Sequence, residues 1–438
     1  MKFQIAALTA LLTSMSMAYA APNHGELERL REEVRVLKEA RETFEQRIAD
    51  LEKRLNANTP AAATPAAPPV AAAQPAASSA NPAMSLILTG TYADFKRDPA
   101  SYRIGGFMPG GETEAAKRGF SLGESELVVT ANIDPYFRGK LVAALTPEDK
   151  VEVEEAFVES LAFGRGVTAR AGRFLSGIGY LNAQHAHSWD FVDAPLAYQA
   201  FVGGRLKDDG IGVRWLAPSE LYLELGFEAL RGTGFPSTER DRGGFGTRAV
   251  YAHMGGDVGA SHAWRAGLSL LDARPRARQY EDSDSLDREI KNSFAGRSRT
   301  LIVDGVWKWA PEGDARKVNF KLQGEYFRRH ERGTLTHDTA RGGFGPLSDA
   351  YASRQSGFYV QGVYQFRPRW RVGARYDQLN SGSVSNALVD SGALSAADFP
   401  LLAAHDPKRS SVMVDYSPSE FSRWRLQLAR DRARPDAA

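Results

Sequence analysis

The sequence predicts an all-β transmembrane barrel of about sixteen antiparallel strands, preceded by an N-terminal α-helical coiled coil. Three observations point there. Residues 1–20 have the form of a secretory signal. No later stretch of about 20 apolar residues could make a spanning helix. The long C-terminal region is built of short segments with two-residue alternation. Lipid offers no partners to free backbone groups, so a chain that spans without helices must close its strands into a barrel.

The signal has its three parts in order. Lys2 supplies the positive end, an apolar run extends from Ile5 to Leu12, and Ala18-Tyr19-Ala20 gives an A-x-A cleavage site. The 438 residues include no cysteine, which excludes disulfides, thiolate metal sites and a lipid-modified cysteine after the signal. A net charge of +2 is far from the basic footprint of a nucleic-acid binder.

Residues 26–57 carry a heptad repeat. Leu27, Val34, Arg41, Ile48 and Leu55 recur every seven residues, and Leu30, Leu37, Phe44 and Leu51 sit three further on in each. Read as positions a and d, the seam is apolar except at Arg41, and the remaining faces are mostly Glu, Arg and Lys. The narrow stripe predicts an oligomeric coiled coil rather than a lone surface helix. The run Arg47 to Glu52 fits a trimer, because Arg47 at g can lay its stem over the seam beside Ile48 and Leu51 and pair with an acidic residue on the next helix. Residues 58–83 are almost entirely Ala, Pro, Ser, Thr and Asn and build no core. As an extended linker they reach about 80 Å at most.

Residues 84–438 form the expected barrel. Leu221, Leu223, Leu225 and Phe227 alternate with Tyr222, Glu224, Gly226 and Glu228, and Phe358, Val360, Gly362 and Tyr364 with Tyr359, Gln361, Val363 and Gln365. Such alternation puts one set on each face of a sheet. A soluble sandwich would alternate too, but here the polar face carries charges and amides suited to a watery lumen. Aromatics such as Trp215, Trp264, Trp307, Trp309, Trp370 and Trp424 gather near segment ends, as an interfacial girdle requires. Tight turns at Asp134-Pro135, Pro218, Gly259, Pro311, Pro368 and Pro418 oppose long polar segments at 231–246, 272–299, 329–353 and 381–407. That asymmetry belongs to outer-membrane barrels.

Sixteen segments read as strands, near 85–95, 119–134, 136–146, 150–163, 166–175, 198–206, 210–217, 221–230, 247–258, 262–271, 299–310, 316–328, 354–366, 370–379, 408–417 and 423–431. Their parity is faulty. The tight turn at Pro218 falls on the long-loop side, so one strand between 176 and 217 is spurious or missed. The last segment also ends on the outer side, which leaves a closing strand missing.

The stretches 171–180 (AGRFLSGIGY), 185–191 (HAHSWDF), 321–326 (KLQGEY) and 417–422 (SPSEFS) resemble the trimeric outer-membrane porins with a periplasmic coiled coil, the DcaP-like group. More distantly they resemble the phosphate-selective porin O/P group. The resemblance covers about residues 84–430. It implies a homotrimer of 16-stranded barrels in outer-membrane lipid, with the coiled coil in the periplasm and small polar solutes passing through. Such barrels end in an amphipathic strand with a terminal aromatic, whereas this sequence stops at Arg434-Pro435-Asp436-Ala437-Ala438.

Charged rings set ion preference in a pore. The pore-lining candidates are Arg138, Lys140, Arg170, Arg173, Arg214, Glu224, Glu228, Lys308, Lys321, Glu325, Arg371 and Arg375, with Arg423 and Arg425 further along. Glu124, Glu126, Glu152, Glu154 and Asp304 add to the acidic side, so the mixture leans only mildly toward anionic solutes. A solvated wall is the plainer reading of most of them. His185, His187 and Asp190, with Asp193 nearby, have metal-like spacing. On a strand an H-x-H pair points both rings to one face, but two histidines bonded within a long loop are the simpler expectation.

No nucleophile elbow, phosphate loop or dinucleotide fingerprint occurs, so neither an enzyme nor a cofactor is expected. The leading expectation is a porin for small polar solutes. The alternatives are a substrate-specific, metal-related receptor and a tether that anchors the barrel to the cell wall. Energy-coupled receptors need a plug and about 22 strands, more than these residues supply.

Overall fold

The computed structural model describes residue 35 and residues 82–434, apart from 111–116, 147–149, 239–242 and 344. The signal, the coiled coil except residue 35, and the linker up to residue 81 lie outside the described residues. The strands begin with β1 (Ala83–Ile87), β2 (Gly90–Ala93), β3 (Gly119–Leu122), β4 (Ser125–Asn132), β5 (Phe137–Leu145) and β6 (Val151–Ser160). There follow β7 (Val167–Leu175), β8 (Lys207–Leu216), β9 (Tyr222–Leu230), β10 (Thr247–Val258), β11 (His262–Ala273) and β12 (Arg278–Ser283). The series closes with β13 (Glu289–Trp309), β14 (Asn319–His337), β15 (Leu347–Arg367), β16 (Trp370–Asn386), β17 (Lys408–Ser419) and β18 (Ser422–Arg432). Two short helices, α1 (Leu196–Val202) and α2 (Ala387–Asp390), lie in loops.

The strands form one antiparallel meander in chain order from β4 to β18, with β1 beside β4. β2 and β3 pair with each other and prolong β1 and β4. β12 pairs only with the upper part of β13, which leaves fifteen described strands along the path. Among the described residues β1 is bonded to β4 and β18 to β17. The loop after β2 joins the two ends of the sheet: Gly105 N–H donates to the Ala433 carbonyl at 2.8 Å, and Arg434 Nη1 to the Ser101 carbonyl at 2.7 Å.

The outer faces define an apolar band. In β13 the outward residues Leu301, Val303, Gly305, Trp307 and Trp309 give way above to Arg299 and Arg297. In β14, Phe320, Leu322, Gly324 and Tyr326 give way to Arg328 and His330. In β15, Phe358 to Phe366 is the apolar stretch and Ser356 and Arg354 stand above it. The pairings Leu301↔Arg328, Val303↔Tyr326 and Tyr326↔Phe358 put the polar-to-apolar change at one level across all three strands. Leu301 to Trp309, Phe320 to Tyr326 and Phe358 to Phe366 lie in the band, close to the length of about 9–11 residues that a tilted strand needs to cross. The ladders continue above it, so β13 to β16 reach well past the ends that alternation suggested. Backbone pairing persists there although nothing apolar is needed on the outer face.

The segment 198–206 is not a strand. Residues 196–202 are α1, and all seven of its side chains are buried. An apolar run this short has no decisive period, and it is enclosed on every side, so helix and strand look alike in the sequence. Its removal corrects the parity: the turn at Pro218 joins the other tight turns, and β18 ends at the long-loop end of the barrel.

Inside, α1 sits within an apolar cluster built from Phe107, Ile178, Leu181, Tyr198, Phe201, Phe327 and Tyr359. Phe201 stacks on Phe327 at 5.7 Å and Tyr198 meets the same ring edge-on at 5.1 Å. A second cluster, with Met108, Tyr280, Phe294, Tyr351, Phe399 and Leu402, caps the long-loop end. The membrane boundary gives a direct test. Val303→Arg, inside the band, should cost about 2–4 kcal/mol, whereas Thr334→Arg, above it on the outer face of β14, should change stability by less than about 0.5 kcal/mol. Urea unfolding in lipid vesicles measures both.

Candidate functional site

The segment between β7 and β8, residues 176–206, folds into the lumen and contacts inward side chains around the wall. Ser176 and the Gly177 N–H bond Glu228 on β9. Gly179 N–H donates to Ser269 Oγ on β11 at 3.1 Å. Glu325 on β14 accepts from the Tyr180 and Leu181 N–H groups and from the hydroxyls of Tyr198 and Tyr359, at 2.7–3.1 Å. Leu196 N–H donates to Asp377 on β16 at 2.9 Å. A flat sheet could not reach one segment from so many strands.

The segment separates two walls of opposite charge. On the acidic side stand Glu124, Glu126, Glu154 and Glu155, from β4, β6 and the residue just before β4. His185 reaches Glu154 through Nδ1 at 3.0 Å and Glu155 through Nε2 at 2.9 Å, and His187 reaches Glu126 at 3.0 Å. Arg205 bridges Glu124 and Glu154 at 2.6 and 2.5 Å. Burial opposes charge on His185, but the bonds to Glu126, Glu154 and Glu155 outweigh it and raise the ring to about 11. Arg205 and Lys140 share these carboxylates with the ring.

Glu154 and Glu155 are adjacent yet both buried against this wall. The cause is a bulge: Val142 pairs with Glu155, the next residue, Ala143, pairs with Val153, and Glu154 is the extra residue. Bulges re-aim side chains in this way. The doubled Glu in the run Val-Glu-Val-Glu-Glu-Ala-Phe-Val-Glu was the available signal, and simple alternation passed over it.

On the opposite side the segment presents Asp190 and Asp193. Asp190 pairs with Lys321 at 2.5 Å and Arg371 at 3.2 Å, and Arg371 also pairs with Asp415, which Arg425 holds at 2.7 Å. Asp193 pairs with Arg375 at 2.9 Å and with Arg409, and accepts from Gln427 at 2.7 Å. Burial raises the Asp193 carboxyl, but Arg375 and Arg409 overcome that and hold it at about 2. Asp190 therefore does not join His185 and His187; it faces the basic wall. The two histidines do face one wall, their rings stacked at 5.8 Å, from a short 3-10 turn rather than a strand.

The other candidates can be placed by parity. Arg170 pairs with Glu228 at 2.6 Å and Arg214 with Glu159 at 3.2 Å, both toward the lumen. Glu224 meets His253 at 3.2 Å, and Lys140 pairs with Glu155. Arg138 faces inward beside Asn132 at 3.4 Å. Lys308 faces inward and has no ion pair among the described residues. Arg173 departs from the expectation. It stands three residues from Arg170, so the two cannot share a strand face, and it pairs with Asp209 at 2.8 Å on the outer face beside Ala171 and Ile211.

At the tight-turn end of the lumen the charge is one-sided. Within about four residues of those strand ends, Arg138, Lys140, Arg170, Arg214, Arg265, Lys308, Lys321, Arg371, Arg423 and Arg425 point inward, against Glu159, Glu224, Asp257 and Asp415. Arg423, one of the expected lumen charges, donates to the Trp189 carbonyl, and Arg265, which donates to that of Gly179, was not among the candidates.

Because Asp193 is held below its ordinary value, near 3.9, its contribution to holding the segment is complete above about pH 4 and is lost as the pH falls toward 2. Trp189 fluorescence during acid titration should report that release. Asp193→Asn should remove this part of the acid response and cost about 1–3 kcal/mol at neutral pH.

No protein-family model matches the chain. Among solved structures it is similar to the outer membrane protein OmpT of Vibrio cholerae, in a loop L8 deletion mutant (TM-score 0.46, 11% identity, 80% of this chain and 93% of that one). It is also similar to the outer membrane channel DcaP of Acinetobacter baumannii (TM-score 0.43, 10% identity, 80% and 91%). The anion-selective porin from Comamonas acidovorans is a third (TM-score 0.41, 11% identity, 80% and 90%). In sequence, an Aquifex aeolicus protein described only as uncharacterized is 34% identical over 349 residues, covering 76% of this chain and 68% of that protein. At that identity over that length, the chain belongs to the same family as the Aquifex aeolicus protein.

Proposed function

We propose that the chain is an outer-membrane porin of the DcaP-like kind, passing small polar solutes with a preference for anions. The observation that carries this reading is the cationic lower lumen beneath a segment held between walls of opposite charge. Ten inward cations against four carboxylates on the strands at one end attract anions and raise their local concentration. Lys308 and Arg423 are the best placed to meet a solute, since neither forms an ion pair among the described residues. The heptad seam of residues 26–57 supports a homotrimer with its coiled coil in the periplasm, which sedimentation of the purified protein would check.

A second reading has one observation in its favour. The upper lumen is filled by two apolar clusters, which suits a closed barrel serving as a cell-envelope tether or a receptor that opens only with its ligand. Planar-bilayer conductance separates the readings. A porin gives stepwise open channels whose reversal potential in a salt gradient shows anion preference, and Lys308→Glu with Arg423→Glu should shift it toward cations. Absence of conductance by the folded protein would remove the porin reading.

A further inference from the structure

The acidic wall contains a group of atoms whose arrangement exceeds what holding a loop requires. His185 Nδ1 lies 3.2 Å from Glu126 Oε2 and 3.0 Å from Glu154 Oε2. These three ligand atoms all lie within 4.8 Å of one another. Each of the three side chains is fixed from behind. His185 Nε2 is bonded to Glu155 at 2.9 Å, and Glu155 is itself paired with Lys140. The other oxygen of Glu126 meets His187 at 3.0 Å, and the other oxygen of Glu154 meets Arg205 at 2.5 Å. Both carboxylates are essentially inaccessible to solvent. A single Nδ1 hydrogen cannot serve two carboxylate oxygens well, and Glu126 Oε2 is left buried without a hydrogen bond.

We propose that His185 Nδ1, Glu126 and Glu154 bind a first-row divalent transition-metal ion such as zinc. The two separations from Nδ1, 3.0 and 3.2 Å, already suit it: with bonds of about 2.0–2.1 Å, tetrahedral ligands stand roughly 3.3 Å apart. Glu155 gives the ring the outer partner that metal-bound histidines almost always have, fixing the tautomer and raising its basicity. One imidazole with two carboxylates favours zinc or a neighbouring transition metal over calcium or magnesium, which take oxygen ligands alone. A fourth position is left for water or a solute group. The ion provides the donor-poor Glu126 oxygen with a partner and ties residue 185 of the inserted segment to β4 and β6.

The test uses the full chain, folded in detergent and stripped with a chelator, then titrated with Co2+ and competed with Zn2+. The wild-type protein should bind one equivalent and develop visible absorption of low-coordinate cobalt, lost on adding zinc. His185→Gln should abolish the band. Glu155→Gln, which leaves the three ligands in place, should weaken binding about 10- to 100-fold in protein that still migrates as a folded, heat-modifiable species. Should His185→Gln fail to fold, Glu155→Gln decides. Lack of stoichiometric binding by the wild type, or unchanged affinity in Glu155→Gln, would overturn the assignment and leave His185 as an imidazolium clasp. The outcome is independent of whether the barrel conducts.

Discussion

The interaction on which the interior depends is the neutralisation of residues 176–206 from two sides at once. A charged segment drawn into a lumen loses much of its water, and an unpaired buried charge costs several kcal/mol. Here His185, His187 and Arg205 meet carboxylates on β4 and β6, while Asp190 and Asp193 meet guanidinium and ammonium groups on β14, β16 and β17. Neither wall could hold the segment alone, since each would leave the other set of charges without partners. α1 then fills the space between, and its rings complete the core with Phe327 and Tyr359.

The same arrangement links packing to transport. Pairing uses most of the charges at mid-height, where Arg375, Asp377 and Arg409 are buried. It leaves the excess cations at the tight-turn end, close to solvent. A solute passing the segment would meet positive charge without having to break the pairs that keep the segment in place. In the proposed porin, selectivity and stability therefore rest on different residues of the wall, Lys308 on β13 and Arg423 on β18 for one and Arg375 on β16 and Arg409 on β17 for the other.

Much of this was legible in the sequence where one period governs. Leu221 to Glu228 and Phe358 to Gln365 alternate strictly because lipid faces one side and the lumen the other, and both are strands as expected. Legibility failed where that contrast vanishes. Residues 196–202 are buried on every side, so no period marked them as a helix. Above residue 328 of β14 both faces are polar but for Leu335, and the ladder became invisible although its hydrogen bonds continue. The acidic wall was hidden by a bulge at Glu154, which shifts the period by one. His185 and His187 were visible as a pair, but their partners lie 30 or more residues away in sequence, and no local pattern names them.

The central claim is that residues 176–206 cross the lumen and are held against its wall, and the absence of native cysteine makes that directly measurable. Val192 N–H donates to Gln427 Oε1 at 2.9 Å, joining the segment to β18. Cysteines at 192 and 427 (V192C with Q427C), treated with a short bis-maleimide, should be bridged in the folded barrel and give a shifted band on a denaturing gel. The same chain unfolded by heat before treatment should not be bridged. A folded, heat-modifiable barrel in which both cysteines react singly and no bridge forms would contradict the account.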